Sequence, residues 1–335
     1  MRQTGSWCTL ARVTAALDDP DGRWSDIRRI TALGEPLLEL QPVPSGEIRL
    51  AFGGDVANSM VCLARILGTS HREITLVTAL GNSGYSAWLR SRLTREGIRL
   101  GEARIEGEPG IYGLPLDTAP REGFSYWREQ SAARQFLRAA TFEQLEELLP
   151  RPELLLVTGI TLALCSTASF EHLCRWVQLH RDECRVVFDC NFRRRLWDSD
   201  AQARERVGAF ERLVSLIATG AEDEKNLWGA ASTAQITARL SGLGAEYLIR
   251  GGAEGCWVGS ASECRHIPAG PVTVVDTAGA GDAHFAGYLA ARVSGCDRSA
   301  AATYANKAAA VIVAQRGSAP KESARFPPLP TRAGA

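Results

Sequence analysis

The chain of 335 residues balances 38 Lys and Arg against 38 Asp and Glu, with 45% hydrophobic and 23% charged residues. That composition excludes a disordered chain, and the zero net charge excludes a nucleic-acid or anionic-membrane surface as its main partner. The nine Cys are odd in number and none are at C-x-x-C spacing, which excludes a disulfide framework and a structural zinc site and leaves reduced thiols in the cytoplasm.

The length suits one large or two modest domains. No apolar run reaches the ~18 residues of a membrane span. Residues 1–28 read as an appended arm, residues 29–325 as the folded domain, and the Pro-rich residues 326–335 as a tail. Arg29 to Gly34 is a buried strand ending in glycine. Glu47 to Phe52 alternates polar and apolar, as a half-exposed antiparallel strand does. Asp55 opens an amphipathic helix through Val56, Met60, Leu63 and Leu67, stopped by Gly68. A strand (Ile74 to Thr78) and a helix (Tyr85 to Glu96) follow. Glu102 to Arg128 again alternates in pieces between Gly, Pro and turn residues. From residue 141 the chain repeats helix then apolar strand: strands fall at Leu154–Val157, Arg185–Phe188, Leu216–Ala218 and Tyr247–Arg250. A β-like approach at Val274-Val275 leads to two closing helices, Gly281–Val293 and Arg298–Ala314. Apolar, unalternating strands between helices predict a three-layer α/β/α sandwich on a mainly parallel sheet. The two alternating segments, about 46–53 and 101–130, predict a small β-sheet lid over the carboxyl ends of the strands, where open α/β sheets bind ligands.

The strongest local signal is Asp276-Thr277-Ala278-Gly279-Ala280-Gly281-Asp282. Small side chains leave main-chain amides exposed at a helix start, which binds an anion with help from the helix dipole. A Gly-rich turn capped by Asp282 is the plainer reading. A carboxylate beside a phosphate site calls for a proton to take or a metal to organise, which makes Asp282 a general-base candidate for a hydroxyl attacking a phosphoryl group. No Walker A sequence occurs: the three Lys (Lys225, Lys307, Lys321) do not follow Gly. The dinucleotide fingerprint fails at His284.

That segment resembles the second signature of the ribokinase-like (PfkB) carbohydrate kinases, and Gly53-Gly54-Asp55-Val56-Ala57-Asn58 resembles their first. The similarity runs from about Ile30 to Pro320. Gly34 to Leu40, Tyr126-Trp127-Arg128-Glu129 with Ser131-Ala132-Ala133, and Asp189-Cys190-Asn191-Phe192-Arg193 with Arg195-Leu196-Trp197 are similar to the 2-keto-3-deoxygluconate kinase branch.

The resemblance implies ATP-dependent phosphorylation of the terminal (6-) hydroxyl of that sugar acid, with Asp282 as base and the backbone of Gly279, Ala280, Gly281 and Asp282 as anion hole. It implies that Gly53, Gly54, Asp55 and Asn58 hold sugar hydroxyls. Tyr112, Tyr126 and Arg128 match lid positions at which Arg meets the substrate carboxylate, and a planar guanidinium suits that partner. Arg193 matches a core position near the substrate. Because Tyr126 and Trp127 alternate on a strand, one of the two only packs the lid; in a chain this rich in Arg, composition alone would make Arg128 a solvated charge. For the nucleotide, the resemblance implies Arg250, Gly252, Gly255 and Asn306. Mg2+ is implied mainly through ATP, with Glu224 standing for the Glu of the family's Asn-x-x-Glu although Ala221 replaces the Asn. A K+ site is implied near Asp276, Ala278 and Gly317; backbone oxygens come from any residue, so the sequence leaves it open. Kinases of fructose, ribose or a related keto acid on the same fold, or a non-catalytic sugar or nucleotide sensor, are the alternatives. Lid strand edges imply a homo-oligomer, most simply a dimer.

Overall fold

The structure is a computed structural model that describes residues 24–43, 45–68, 72–115, 123–149 and 151–330. A nine-stranded sheet runs in the order β13-β12-β11-β10-β9-β8-β1-β4-β5. Its strands are β1 (Arg29–Leu33), β4 (Glu73–Thr78), β5 (Arg99–Glu102), β8 (Leu154–Thr158), β9 (Arg185–Asp189), β10 (Leu216–Gly220), β11 (Glu246–Arg250), β12 (Cys256–Gly259) and β13 (Cys264–Ile267). All pair in parallel except β12 and β13, which close one edge as an antiparallel hairpin. The central strands read as apolar runs because both faces are covered. In β8, Leu154 and Leu156 join one core with Val56, Met60, Phe285 and Tyr288, while Leu155 and Val157 join the other with Phe136, Trp176 and Phe210. One layer of helices is built on α1 (Asp55–Leu67), α2 (Gly84–Arg95), α10 (Ala280–Val293) and α11 (Arg298–Val313); α3 (Ala132–Ala139) to α9 (Thr233–Ser241) form the other.

A second sheet of four strands has the order β3-β2-β6-β7: β2 (Leu37–Pro42), β3 (Ile48–Gly53), β6 (Gly110–Gly113) and β7 (Ser125–Trp127). This is the lid. A small second sheet beside a mainly parallel one is what the sequence suggested.

Several boundaries differ from the sequence reading. Residues 99–102 belong to the main sheet, so the second lid segment starts later than 101; its stretch 116–122 lies outside the described residues. The lid also recruits β2, whose run Leu37-Leu38-Glu39-Leu40 lacks a clean alternation. The hairpin 256–267 gave no sequence signal. The approach Val274-Val275 forms no strand: the amides of Val275 and Asp276 both donate to the Val313 carbonyl, and Val274 and Val275 are exposed. Of the presumed arm, residues 1–23 lie outside the described residues, but Trp24 and Ile27 are core residues, with the Arg185 and Arg292 guanidinium groups each 5.1 Å from the Trp24 ring. In the tail, Phe326 and Leu329 pack on the core and the Tyr304 hydroxyl donates to the Pro327 carbonyl at 2.6 Å.

Candidate active site

A cleft of about 520 Å³ opens between the carboxyl ends of the main sheet and the lid. Its floor is the turn into α10. Gly279 caps that helix at φ 72°, and a Cβ there would run into the Ser318 carbonyl oxygen, so the turn demands glycine. The Ala278 amide donates to Asp276 at 2.8 Å, and the Ala280 amide turns back to the Thr277 carbonyl at 3.3 Å. Among the described residues the amides of Gly279, Gly281 and Asp282 find no protein acceptor. These three, and not that of Ala280, form the nest. Arg250, at the end of β11, lies under it: its guanidinium donates to both oxygens of Asp189 (2.6 and 2.7 Å) and to the Gly281 carbonyl at 3.4 Å.

Asp282 is the third residue of α10. Its carboxylate accepts from Asn58 of α1 at 2.8 Å. Burial, then the charge of Asp55, push its pKa up to about 7; the Asn58 hydrogen bond and Arg250 oppose them. Asn58 Oδ1 is buried with no partner among the described residues, an open acceptor beside the carboxylate. Asp55 starts α1 after Gly54 (φ 97°) and accepts from Asn191 at 3.1 Å. Asn191 takes φ 32°, a left-handed conformation that side chains seldom adopt, two residues after Asp189.

The lid contributes its polar face. Cross-strand register pairs Tyr112 with both Glu39 and Tyr126. The Tyr112 and Tyr126 rings stack at 5.8 Å, and Tyr126 faces the cleft while Trp127 points outward, 58% exposed. The Tyr112 hydroxyl bonds to Glu39 and lies 2.7 Å from Ser318 Oγ, which donates to Glu39 at 2.7 Å. Gly53 makes room for this cluster, since a Cβ there would strike the Tyr112 hydroxyl; it does not line the cleft, whereas Gly54 does. Arg128 is 4% exposed and is ion-paired with the fully buried Glu35, which Ser131 also contacts; Arg128 Nε has no partner among the described residues.

Other expected residues fall elsewhere. Glu224 is buried away from the cleft, where it and Glu211 clasp Arg239 (2.6 to 3.0 Å). The carboxylate that lines the cleft is Asp223, one residue earlier; it accepts from the Gly220 amide at 3.3 Å and lies 4.0 Å from Arg250. Asp223 is thus the acidic residue of this segment that faces the cleft, and Ala221 stands at the Asn position of the expected Asn-x-x-Glu. Asn306 Oδ1 accepts from His284 Nε2 at 3.0 Å and Asn306 Nδ2 donates to the Ile267 and Pro268 carbonyls, tying α11 to α10 and β13 rather than facing the cleft. Gly252 (φ 61°) has open space around it, while Gly255 (φ 95°) is pressed on the backbone after β13. Arg193 reaches its own neighbour's carbonyl and lies 3.7 Å from Asp223. Near the expected K+ position, the Gly317 amide donates to Asp276 at 3.1 Å. The cleft residues without an assigned role in the sequence include Asp223, one position before the expected Glu224, and Arg195, hidden in a run of three Arg.

An anion nest with a carboxylate of raised pKa, facing a hydroxyl-lined cleft under a lid, defines a phosphotransferase acting on an alcohol. The pfkB family carbohydrate kinase model matches residues 29–325, and the chain belongs to that family of sugar kinases. It is 30% identical over 305 residues to the 2-dehydro-3-deoxygluconokinase of Escherichia coli K12, covering 87% of this chain and 96% of that one. It is 29% identical over 298 residues to the enzyme of the same name from Dickeya dadantii, with the same coverage. Among solved structures, a Vibrio cholerae O395 fructokinase double mutant with fructose, ADP and potassium ion bound superimposes with a TM-score of 0.75 at 21% identity, covering 87% of this chain and 94% of the other.

Proposed function

We propose that this chain transfers the γ-phosphoryl group of ATP to the terminal (6-) hydroxyl of 2-keto-3-deoxygluconate. The observation that carries the reading is the Asp282 carboxylate, held near pKa 7 beside three free amides at a helix start. Asp282 takes the proton from the attacking hydroxyl, whose oxygen then bonds to the γ-phosphorus as the bond to the ADP oxygen breaks. The amides of Gly279, Gly281 and Asp282 stabilise charge on the transferring group, with Arg250 beneath them. Asn58 Oδ1, Asp55 and the Arg128 Nε–H offer open hydrogen-bonding positions to the sugar acid. The lid excludes water from the transfer.

Gly252, two residues beyond Arg250, and the exposed Val272, Val274 and Val275, which precede the turn into α10 in the chain, would suit the nucleotide. Among the described residues no cluster of three His, Cys, Asp or Glu would hold a metal by itself. Mg2+ would arrive on the nucleotide and supply charge neutralisation at its phosphates, with Asp223 the cleft carboxylate that would hold its water shell. The Asp276 carboxylate, bonded to the Ala278 and Gly317 amides, braces the loop where K+ would sit. No helix among the described residues is long and apolar enough to cross a membrane; we place the protein in the cytoplasm as a homodimer joined through its lids.

ADP release with ATP and a panel of sugars and sugar acids tests the reading. The keto-deoxy acid should give the highest kcat/KM, and phosphorus–proton NMR should place the new ester on its terminal carbon. Preference for fructose or ribose would move the assignment within the family, and no turnover with any acceptor would leave a binding protein. Asp282→Asn should lower kcat by roughly 10²–10⁴ with folding intact; near-normal turnover would remove Asp282 from the mechanism.

A further inference from the structure

We propose that Arg195 is the specificity residue that selects an anionic acceptor; this rests on the sugar-acid reading above. Arg195 stands in the single helical turn Arg194–Leu196 that follows β9. Three consecutive arginines there have three destinations. Arg193 lies 3.7 Å from Asp223. Arg194 turns to Asp200 and to the Trp197 carbonyl. Arg195 crosses from the core to the lid, its Cζ 3.5 Å from the centroid of the Tyr126 ring.

The charges lining the cleft show why this contact matters. Arg250 is paired with Asp189, Arg128 with Glu35, and Arg193 with Asp223. Arg195 has no carboxylate within 4.0 Å among the described residues. The cleft carboxylates not matched to an Arg are Asp55 and Asp282. An acid entering this cleft meets two negative charges, and the cation left to offset them is Arg195. Arg128, which the sequence suggested for that task, is neutralised by Glu35 and keeps one free N–H. A guanidinium laid over an aromatic face keeps its N–H edges in plane and available, and such an edge fits a carboxylate bidentately. The stacking also holds the charge at the junction of core and lid, where closure removes water and strengthens the pairing.

The test compares 2-keto-3-deoxygluconate with its methyl ester, which keeps every hydroxyl and lacks the charge. Dissociation constants and kcat/KM are measured for the parent protein, Arg195→Gln and Arg195→Lys. The parent should favour the acid, and Arg195→Gln should weaken the acid roughly 10- to 100-fold while changing the ester less than about threefold. Arg195→Lys should recover part of the loss, since it keeps the charge without the planar fork. An acid affinity unchanged in Arg195→Gln would overturn the proposal. An equal loss for acid and ester would also overturn it, because it would mark a lid latch without charge selection. A parent that turns over neither compound would instead overturn the sugar-acid reading, and this proposal with it.

Discussion

Asp282 has to be a base and yet sit among carboxylates. Burial and the charge of Asp55 raise its pKa from 3.8 to about 7, the direction that makes a carboxylate a stronger base while keeping it ionised for part of the time near neutral pH. The reactive form is the deprotonated one. The kcat/KM for the sugar should therefore rise with pH through about 7 and level off above it, and at pH 5.5 it should stand roughly thirtyfold below the plateau. A pH–rate profile checks this; a flat profile between pH 5.5 and 8 would detach the rate from Asp282. The neighbouring Arg128–Glu35 pair answers a different need. Burial pushes the Glu35 pKa up, Arg128 and Ser131 pull it down, and the pair anchors the connection between β1 and β2 to the segment after β7.

The turn into α10 and the lid act as connected elements. The Ser318 side chain bonds to Glu39 of β2, the preceding residue's amide, Gly317, donates to Asp276, and Asp276 holds the Ala278 amide. Three hydrogen-bonded steps thus join the lid to the anion nest. Gly279 is the tightest point of this assembly, pressed against the Ser318 backbone at positive φ. Gly279→Ala should cost about 1–2 kcal/mol in backbone strain alone and displace the nest amides from the phosphate. We expect a kcat more than tenfold lower with circular dichroism unchanged. Activity at the parent level would mean that the turn tolerates another conformation.

At the scale of the whole molecule, the lid has two unlike faces. Register puts Glu39, Tyr112 and Tyr126 toward the cleft, and Leu40, Leu50, Ile111 and Trp127 on the opposite side. Leu50 and Ile111 are partly buried against the core, whereas Trp127 and Ile48 are more than half exposed on that outer face. Large apolar side chains left in water on a sheet face are the kind of surface that a second copy covers. Trp127→Glu should convert a sedimenting dimer to a monomer of 36.2 kDa; sedimentation of the parent as a monomer would remove the lid from assembly.

The sequence alone determined the layered architecture, because strands covered on both faces must be apolar throughout and helices packed on them must repeat at 3.6 residues. It also marked the anion turn and Asp282, since small residues running into a helix are a local signal. Other features depend on residues distant along the chain. Arg128 meets Glu35 across 93 positions, Asn58 meets Asp282 across 224, and Ser318 meets Glu39 across 279. The choice between Asp223 and Glu224 turns on the rotation of one helix, about 100° per residue, which short patterns leave open. Which arginine stays unpaired in the cleft was decided by tertiary structure alone, because pairing depends on distances that no sequence interval encodes.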